Sequence, residues 1–360
     1  MPEHIGGAAA DAAKRIRVLI ADDSVFMRKT IERIVNETPG CIVVGTAVDG
    51  VEAVQMAVRL RPDVITMDVE MPRMDGVTAV AELMKTVPTP VVMVSTLTAA
   101  GAATSIRALE AGAVECVAKP GTMSADLISV ADRLSAAILR AATARPRRMA
   151  LPPRPLAAAP TKITPIGRAS ERVVVIGSST GGPPALSEVI PHLPGDLPAG
   201  VVVIQHMPPG FTAALARRLD GLSPLHVSEA VEGDIVAAGR VLVAPGDYHL
   251  TITRDHRVHL EQGPSMHGVR PAADIALKSV AEVYGRQASV AILTGMGRDG
   301  AEGAAAVERA GGHIVVQDEA TCVVYGMPRV TRELTSNADE RPIQEIARAL
   351  TNLVLKGSAR

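Results

Sequence analysis

Aromatic side chains are almost missing from this chain. Trp is absent, and 360 residues hold two Phe and three Tyr. Any core must therefore be aliphatic, and platforms for stacking bases are too few for single-strand nucleic-acid binding. Cysteine is scarce as well. Cys41, Cys116 and Cys322 lie far apart with no CxxC spacing, which argues against a disulfide framework or a structural zinc site. Neither charge sign dominates: 37 Lys plus Arg against 38 Asp plus Glu leave a net charge of -1. Such balance gives no global attraction to DNA or anionic lipid. No apolar run approaches the roughly 20 residues of a membrane-spanning helix. Residues 1–14 read as a loose tail rich in Ala and Gly, and Glu3 and Asp11 speak against a secretory signal. Together these absences predict a soluble cytoplasmic protein, with no nucleic-acid partner and no membrane insertion.

What is present is an ordinary globular balance, 47% hydrophobic and 21% charged, which excludes disorder along the whole chain. At roughly 150 residues per domain, the length predicts two domains. In the first, apolar runs at Arg17–Ala21, Ile42–Ala47, Val64–Met67, Val91–Ser95 and Glu115–Ala118 alternate with helical patterns such as Val25–Val35 and Val51–Leu60. Strands alternating with helices predict a doubly wound parallel sheet. Residues 15–140 are assigned to this domain. Residues 141–169 follow, dense in Pro, Arg and Ala, and read as an extended linker. A second α/β alternation fills 170–357. Its strands are expected at Val173–Gly177, Val201–Gln205, Val241–Ala244, Ser289–Leu293 and His313–Gln317, with a hairpin across Tyr248–Leu260.

In the first domain, Asp22 and Asp23 directly follow one strand and Asp68 follows another. Parallel strands end on one edge of the sheet, so three carboxylates should converge there. Uncompensated burial of such a set is costly, and hard oxygen ligands suit Mg²⁺. Ser95 and Lys119 end two further strands. A hydroxyl and an ammonium at that edge could hold phosphoryl oxygens, with one aspartate as the phosphoacceptor nucleophile.

In the second domain, Val173–Ile176 empties into Gly177-Ser178-Ser179-Thr180-Gly181-Gly182-Pro183. A small-residue turn before a helix can present a serine beside free helix-terminal amides. Ser178 and Ser179 both qualify; Ser179 lies further into the turn and is favoured. A dinucleotide site is the competing reading, but the glycine spacing differs from G-x-G-x-x-G. The next strand ends in Gln205-His206, and the strand at Ser289–Leu293 ends in Thr294-Gly295-Met296-Gly297-Arg298-Asp299-Gly300. Three strand-end loops thus supply Ser179, His206 and Asp299, a nucleophile, a base and an acid that orients the base. His249, His256 and His259 are expected to be exposed hairpin residues.

The motifs Arg17–Ser24, Asp68–Gly76 and Ala118-Lys119-Pro120 resemble the response-regulator receiver domain. That resemblance implies a flavodoxin-like fold, Asp68 as phosphoacceptor, Mg²⁺ on Asp22, Asp23 and Asp68, and Ser95 and Lys119 as phosphoryl-sensing residues. Cys116 stands where receivers often carry an aromatic switch residue. The motifs Ile176–Gly182, Gln205–Pro208 and Thr294–Ala301 resemble the catalytic domain of chemotaxis protein-glutamate methylesterases, with Ser178 where that family commonly has Ala. This second resemblance implies a Rossmann-like three-layer domain. It implies Ser179, His206 and Asp299 as catalytic residues, Thr180, Met296 and Gly297 lining an oxyanion site, and no cofactor there. The implied activity is phosphorylation-activated hydrolysis of glutamate methyl esters, and deamidation of glutamines, on methyl-accepting chemoreceptors. A histidine kinase would be the phosphodonor. Two alternatives are a paralogous methylesterase serving another sensory array and a non-catalytic response regulator. A DNA-binding output is disfavoured, because no basic helix-turn-helix is evident.

Overall fold

The computed structural model describes residues 15–96, 98–119, 124–146 and 168–356. The expected tail 1–14, Pro120, most of the expected linker and residue 357 lie outside these.

The first domain alternates strand and helix: β1 (Ile16–Ala21), α1 (Val25–Glu37), β2 (Cys41–Ala47), α2 (Gly50–Leu60), β3 (Val64–Asp68), α3 (Gly76–Thr86), β4 (Val91–Ser95), α4 (Ala99–Ala111), β5 (Glu115–Ala118) and α5 (Ser124–Ala141). The strands form a parallel sheet in the order β2-β1-β3-β4-β5. Reversal of direction around β1 and β3 leaves a crevice at their carboxyl ends, where Asp22, Asp23 and Asp68 sit. Helix starts follow local chemistry. Ser24, Asp49 and Asp75 cap α1, α2 and α3 by accepting amides of Met27, Glu52 and Thr78, which satisfies donors that a helix start leaves unpaired.

The second domain holds β6 (Val173–Ser178), α6 (Gly182–Val189), β7 (Gly200–Gln205), α7 (Phe211–Leu222), β8 (His226–Glu229), β9 (Arg240–Val243), β10 (His249–Ile252), β11 (Val258–Glu261), α8 (Ala273–Tyr284), β12 (Ala288–Ile292), α9 (Ala301–Arg309), β13 (His313–Gln317), α10 (Met327–Leu334), β14 (Asp339–Arg341) and α11 (Ile343–Lys356). Seven parallel strands run in the order β14-β13-β12-β6-β7-β9-β8, and β10-β11 form a separate antiparallel hairpin. The chain starts in the middle of this sheet, builds toward β8, then returns to build toward β14. The switch point falls at β6, flanked by β7 and β12.

Strands β3, β4, β6, β7 and β12 are buried at every position, as expected where helices cover both faces of a parallel sheet. Among the largest fully buried side chains of the described residues only Phe211 is aromatic, so close packing there is achieved with Val, Ile, Leu, Met and Ala. Three elements, β8, α10 and β14, were not anticipated. One expectation is corrected. His249 is buried, donates from Nε2 to Pro264 O (3.0 Å) and takes the Ala272 amide on Nδ1 (3.2 Å). It pins the hairpin to the start of α8. His256 lies edge-on to Tyr284 with centroids 4.7 Å apart, and only His259 is exposed as expected, beside Glu232.

Candidate functional site

At the carboxyl edge of the second sheet, the loops after β6, β7 and β12 meet. Gly181 takes φ +77°, a conformation that suits glycine. A Cβ at Gly182 would lie 1.9 Å from Gln205 Oε1. The two glycines therefore let the turn bend against Gln205. That glutamine organises the turn: Oε1 accepts the Ser178 hydroxyl (2.7 Å), while Nε2 donates to the carbonyls of Ser179 and His206, each at 3.0 Å. Ser178 is thus fully buried and committed to a hydrogen bond. Ser179 has its amide tied to Thr294 O at 3.0 Å, and it lines a cavity with His206 and Asp299. Of the two serines, only Ser179 lines that cavity.

His206 Nε2 lies 2.7 Å from Asp299 Oδ2. Asp299 is buried, and both its oxygens accept amides from the first turn of α8: Ala273 at 2.6 Å on Oδ2 and Asp274 at 3.0 Å on Oδ1. Burial pushes its pKa up, but the hydrogen bond and charge of His206 and the two amides outweigh burial and hold it below the usual carboxylate range. An ionised Asp299 makes Nε2 the protonated ring nitrogen, so Nδ1 is the basic one. Met296 and Gly297 stand on the same wall. Among the described residues, neither of their amides donates to a backbone carbonyl. Thr180 is buried beside them, and its carbonyl accepts the Thr294 hydroxyl at 3.0 Å.

The cavity measures about 700 Å³ and has a second wall made by the first domain, including Val114, Glu115, Cys116, Arg133 and Arg140. Contacts cross directly to the serine turn. Gly181 donates its amide to Val114 O (3.2 Å), and Thr180 its hydroxyl to Glu115 Oε2 (3.3 Å). Glu115 is also paired with Arg140. Further out, Arg218 of α7 bonds Glu110 of α4 at 2.7 Å, and Val323 and Val324 join the buried apolar cluster of the first domain. Cys116 is buried, and burial pushes its thiol up, so it is an inert packing residue.

At the other centre, carboxylate oxygens of Asp22, Asp23 and Asp68 lie within 4.8 Å of one another. Lys119 Nζ sits 2.6 Å from Asp68 and 3.1 Å from Asp22. Burial raises the Asp68 pKa despite Lys119, and the two carboxylates raise that of Lys119 despite its burial. Ser95 is buried at the end of β4. Asp22 Oδ2 is buried without a hydrogen bond, the Lys119 charge apart. A buried, under-satisfied carboxylate oxygen in an all-oxygen set fits a hard divalent cation such as Mg²⁺.

Sequence reasoning missed Gln205 as the turn's organiser, and also His267 and Asp274. His267 lines the cavity and bonds Asp274 at 3.0 Å. A polar residue closing the otherwise apolar strand Val201–Gln205 was the available signal for Gln205. His267 carried none.

The fold and the two sites define a receiver joined to a serine-containing α/β domain. The CheB methylesterase family profile matches residues 174–350, and that of the response regulator receiver domain matches 18–131. A protein-glutamate methylesterase/protein-glutamine glutaminase of Symbiobacterium thermophilum is 49% identical, covering 95% of this chain and 98% of the relative. One from Pseudomonas aeruginosa is 46% identical, covering 93% and 96%. The crystal structure of the Thermotoga maritima CheB methylesterase catalytic domain is 45% identical, spanning 51% of this chain and 98% of that one with a TM-score of 0.48. This chain belongs to the CheB methylesterase family, with a receiver domain ahead of the methylesterase domain.

Proposed function

We propose that Ser179, His206 and Asp299 hydrolyse γ-methyl esters of glutamate, and γ-amides of glutamine, on methyl-accepting chemoreceptors in the cytoplasm. The observation that carries the reading is the 2.7 Å His206–Asp299 pair facing the same cavity as Ser179. Family membership supplies the substrate class. His206 Nδ1 takes the Ser179 proton as Oγ attacks the γ-carbonyl carbon. The oxyanion is met by the Met296 and Gly297 amides. His206 then returns the proton to the leaving methoxide, and methanol departs; from a glutamine the leaving group is ammonia. Water, deprotonated by His206, attacks the acyl-enzyme and restores Ser179 and a glutamate. Thr180 lines the oxyanion region and holds the turn.

In the receiver, Asp68 accepts the phosphoryl group from a histidine kinase. Asp22, Asp23 and Asp68 would hold Mg²⁺, which would neutralise phosphoryl oxygens. Lys119 and Ser95 contact the phosphoryl group. We place the domains at 15–140 and 170–357, joined by a linker at 141–169. The receiver covers the esterase cavity until phosphorylation weakens the contacts of Val114, Glu115 and Glu110. A phosphoryl group shifts that balance only through its different interaction energy in the two arrangements.

The test is methanol release from methylated receptor membranes, with and without acetyl phosphate. Wild type should release methanol and be stimulated, Ser179→Ala should release none, and Asp68→Ala should be active but unstimulated. Full activity of Ser179→Ala would overturn the nucleophile assignment.

A further inference from the structure

The lining of the hydrolytic cavity includes two histidines, each bonded to a buried aspartate. His206 bonds Asp299, and His267 Nε2 bonds Asp274 Oδ2 at 3.0 Å. The pairs are joined through the first turn of α8. The Asp274 amide donates to Asp299 Oδ1, while Asp274 Oδ1 accepts the Gly303 amide of α9 at 2.7 Å. Ligand-type atoms of His267, Asp274 and Asp299 lie within 4.8 Å of one another. Asp274 has no solvent exposure and Asp299 has 2%. Two carboxylates this close and this buried repel each other, and each has one imidazole as its side-chain partner.

His267 reaches its position at some conformational expense. Its φ is +53° and is followed by Gly268 at +77°, and Met266 and Val269 exchange hydrogen bonds around the bend. A non-glycine residue in this region is uncommon. The bend places the ring between solvent and a fully buried carboxylate, on the cavity wall. The other charged groups facing the cavity are largely paired: Asp247 with Arg270, Arg298 with Glu302, and Glu115 with Arg140. Lys278 of α8 also goes to Glu302, and Asp132 and Arg133 face the cavity as exposed α5 neighbours of opposite sign. After His206, which bonds Asp299 itself, His267 is the titratable group closest to the two buried aspartates.

We propose that His267 is a positioning residue of the hydrolytic site, whose charge, relayed through Asp274 and Asp299, sets how readily His206 takes the serine proton. This rests on the assignment of Ser179, His206 and Asp299 above. A positive His267 offsets the negative charge of Asp274 and so disfavours a second positive charge on His206. The base is then free at lower pH than Asp274 alone would allow.

The experiment is the pH profile of kcat/KM for methanol release by the full chain activated with acetyl phosphate. Substituting His267→Gln keeps a donor toward Asp274 and removes the charge. The acid limb should move up by about half a pH unit, roughly a threefold loss of kcat/KM on that limb with the high-pH plateau preserved. The variant His267→Arg supplies a permanent cation and should move the limb down. Asp274→Asn removes the negative charge, should also move it down, and serves if the Gln variant folds poorly. A merely structural His267 would lower the rate in both His267 variants with the limb unmoved, and that result overturns the proposal. NMR titration of the His206 ring in Ser179→Ala reads the same coupling without activity. If Ser179→Ala is active, the site assignment fails. If it is inactive and the His206 titration is identical with and without His267→Gln, only the present inference fails.

Discussion

Ser178 and Ser179 are neighbours with opposite fates. The Ser178 hydroxyl is bonded to Gln205, whereas Ser179 lines the cavity. Ser178→Ala should therefore keep most of the hydrolytic activity but cost about 1–3 kcal/mol of stability, because Gln205 Oε1 loses its partner while buried. Urea unfolding beside methanol release checks both halves. Asp299→Asn should lower kcat by about 10³–10⁴-fold, since an amide can present the wrong group to the ring and does not stabilise an imidazolium. The same carboxyl is depressed in the fold, so its stabilising contribution is present above the ordinary carboxylate pKa and is lost as pH falls through the folded value. The stability gap between wild type and Asp299→Asn should accordingly be widest near neutral pH and close below about pH 4, as followed by denaturant unfolding at a series of pH values.

The elements act as brackets. The N-terminal turn of α8 holds Asp299, and α9 holds α8 at close range because Gly303 sits at their crossing. A Cβ there would lie 2.5 Å from Leu277 Cβ and 3.1 Å from the Asp274 backbone. Gly303→Ala should push the helices apart, cost about 1–3 kcal/mol, and lower kcat more than it raises KM, because Asp299 shifts while the outer cavity stays. In the first domain the loop ends of β1 and β3 bring Asp22, Asp23 and Asp68 together. Mg²⁺ at millimolar concentration should raise the melting temperature of the full chain, and Asp22→Ala should abolish the shift. Hydropathy could not show α10 or β14. Helix α10, Met-Pro-Arg-Val-Thr-Arg-Glu-Leu, carries a proline in its first turn and three charged residues, and β14 is Asp-Glu-Arg. Strand β14 exists because its backbone completes the edge of β13, a long-range pairing with no apolar period to announce it.

For the whole molecule the decisive feature is that the first domain supplies one wall of the hydrolytic cavity. Its Glu110 carries an ion pair to Arg218 and a long hydrogen bond from Ser187 at 3.5 Å. The Arg218 side chain is partly exposed, so the pair contributes about 0.2–1 kcal/mol. Glu110→Ala should therefore raise methanol release by the unphosphorylated full chain up to a few-fold and leave the fully phosphorylated rate unchanged. Equal rates for wild type and variant without phosphorylation would remove this contact from the regulatory interface.

The sequence by itself determined two parallel-sheet layouts and the residues at their strand ends. Buried parallel strands are continuous apolar runs, and the residue after such a run is committed to the sheet's carboxyl edge whatever the rest of the chain does. That is why Asp22, Asp68, Ser179 and His206 could be singled out from local pattern, and Asp299 from the loop that follows β12. Tertiary structure decided which of them are neighbours and what else joins them. Strand order puts β6 between β7 and β12, contacts separated by tens of residues that no local pattern encodes. It also put His267 onto Asp274, buried His249 under the hairpin, and brought Glu115 of one domain against Thr180 of the other. A histidine or glutamate in a polar loop reads the same whether it faces solvent or a buried partner, and only the packing of distant segments distinguishes the two.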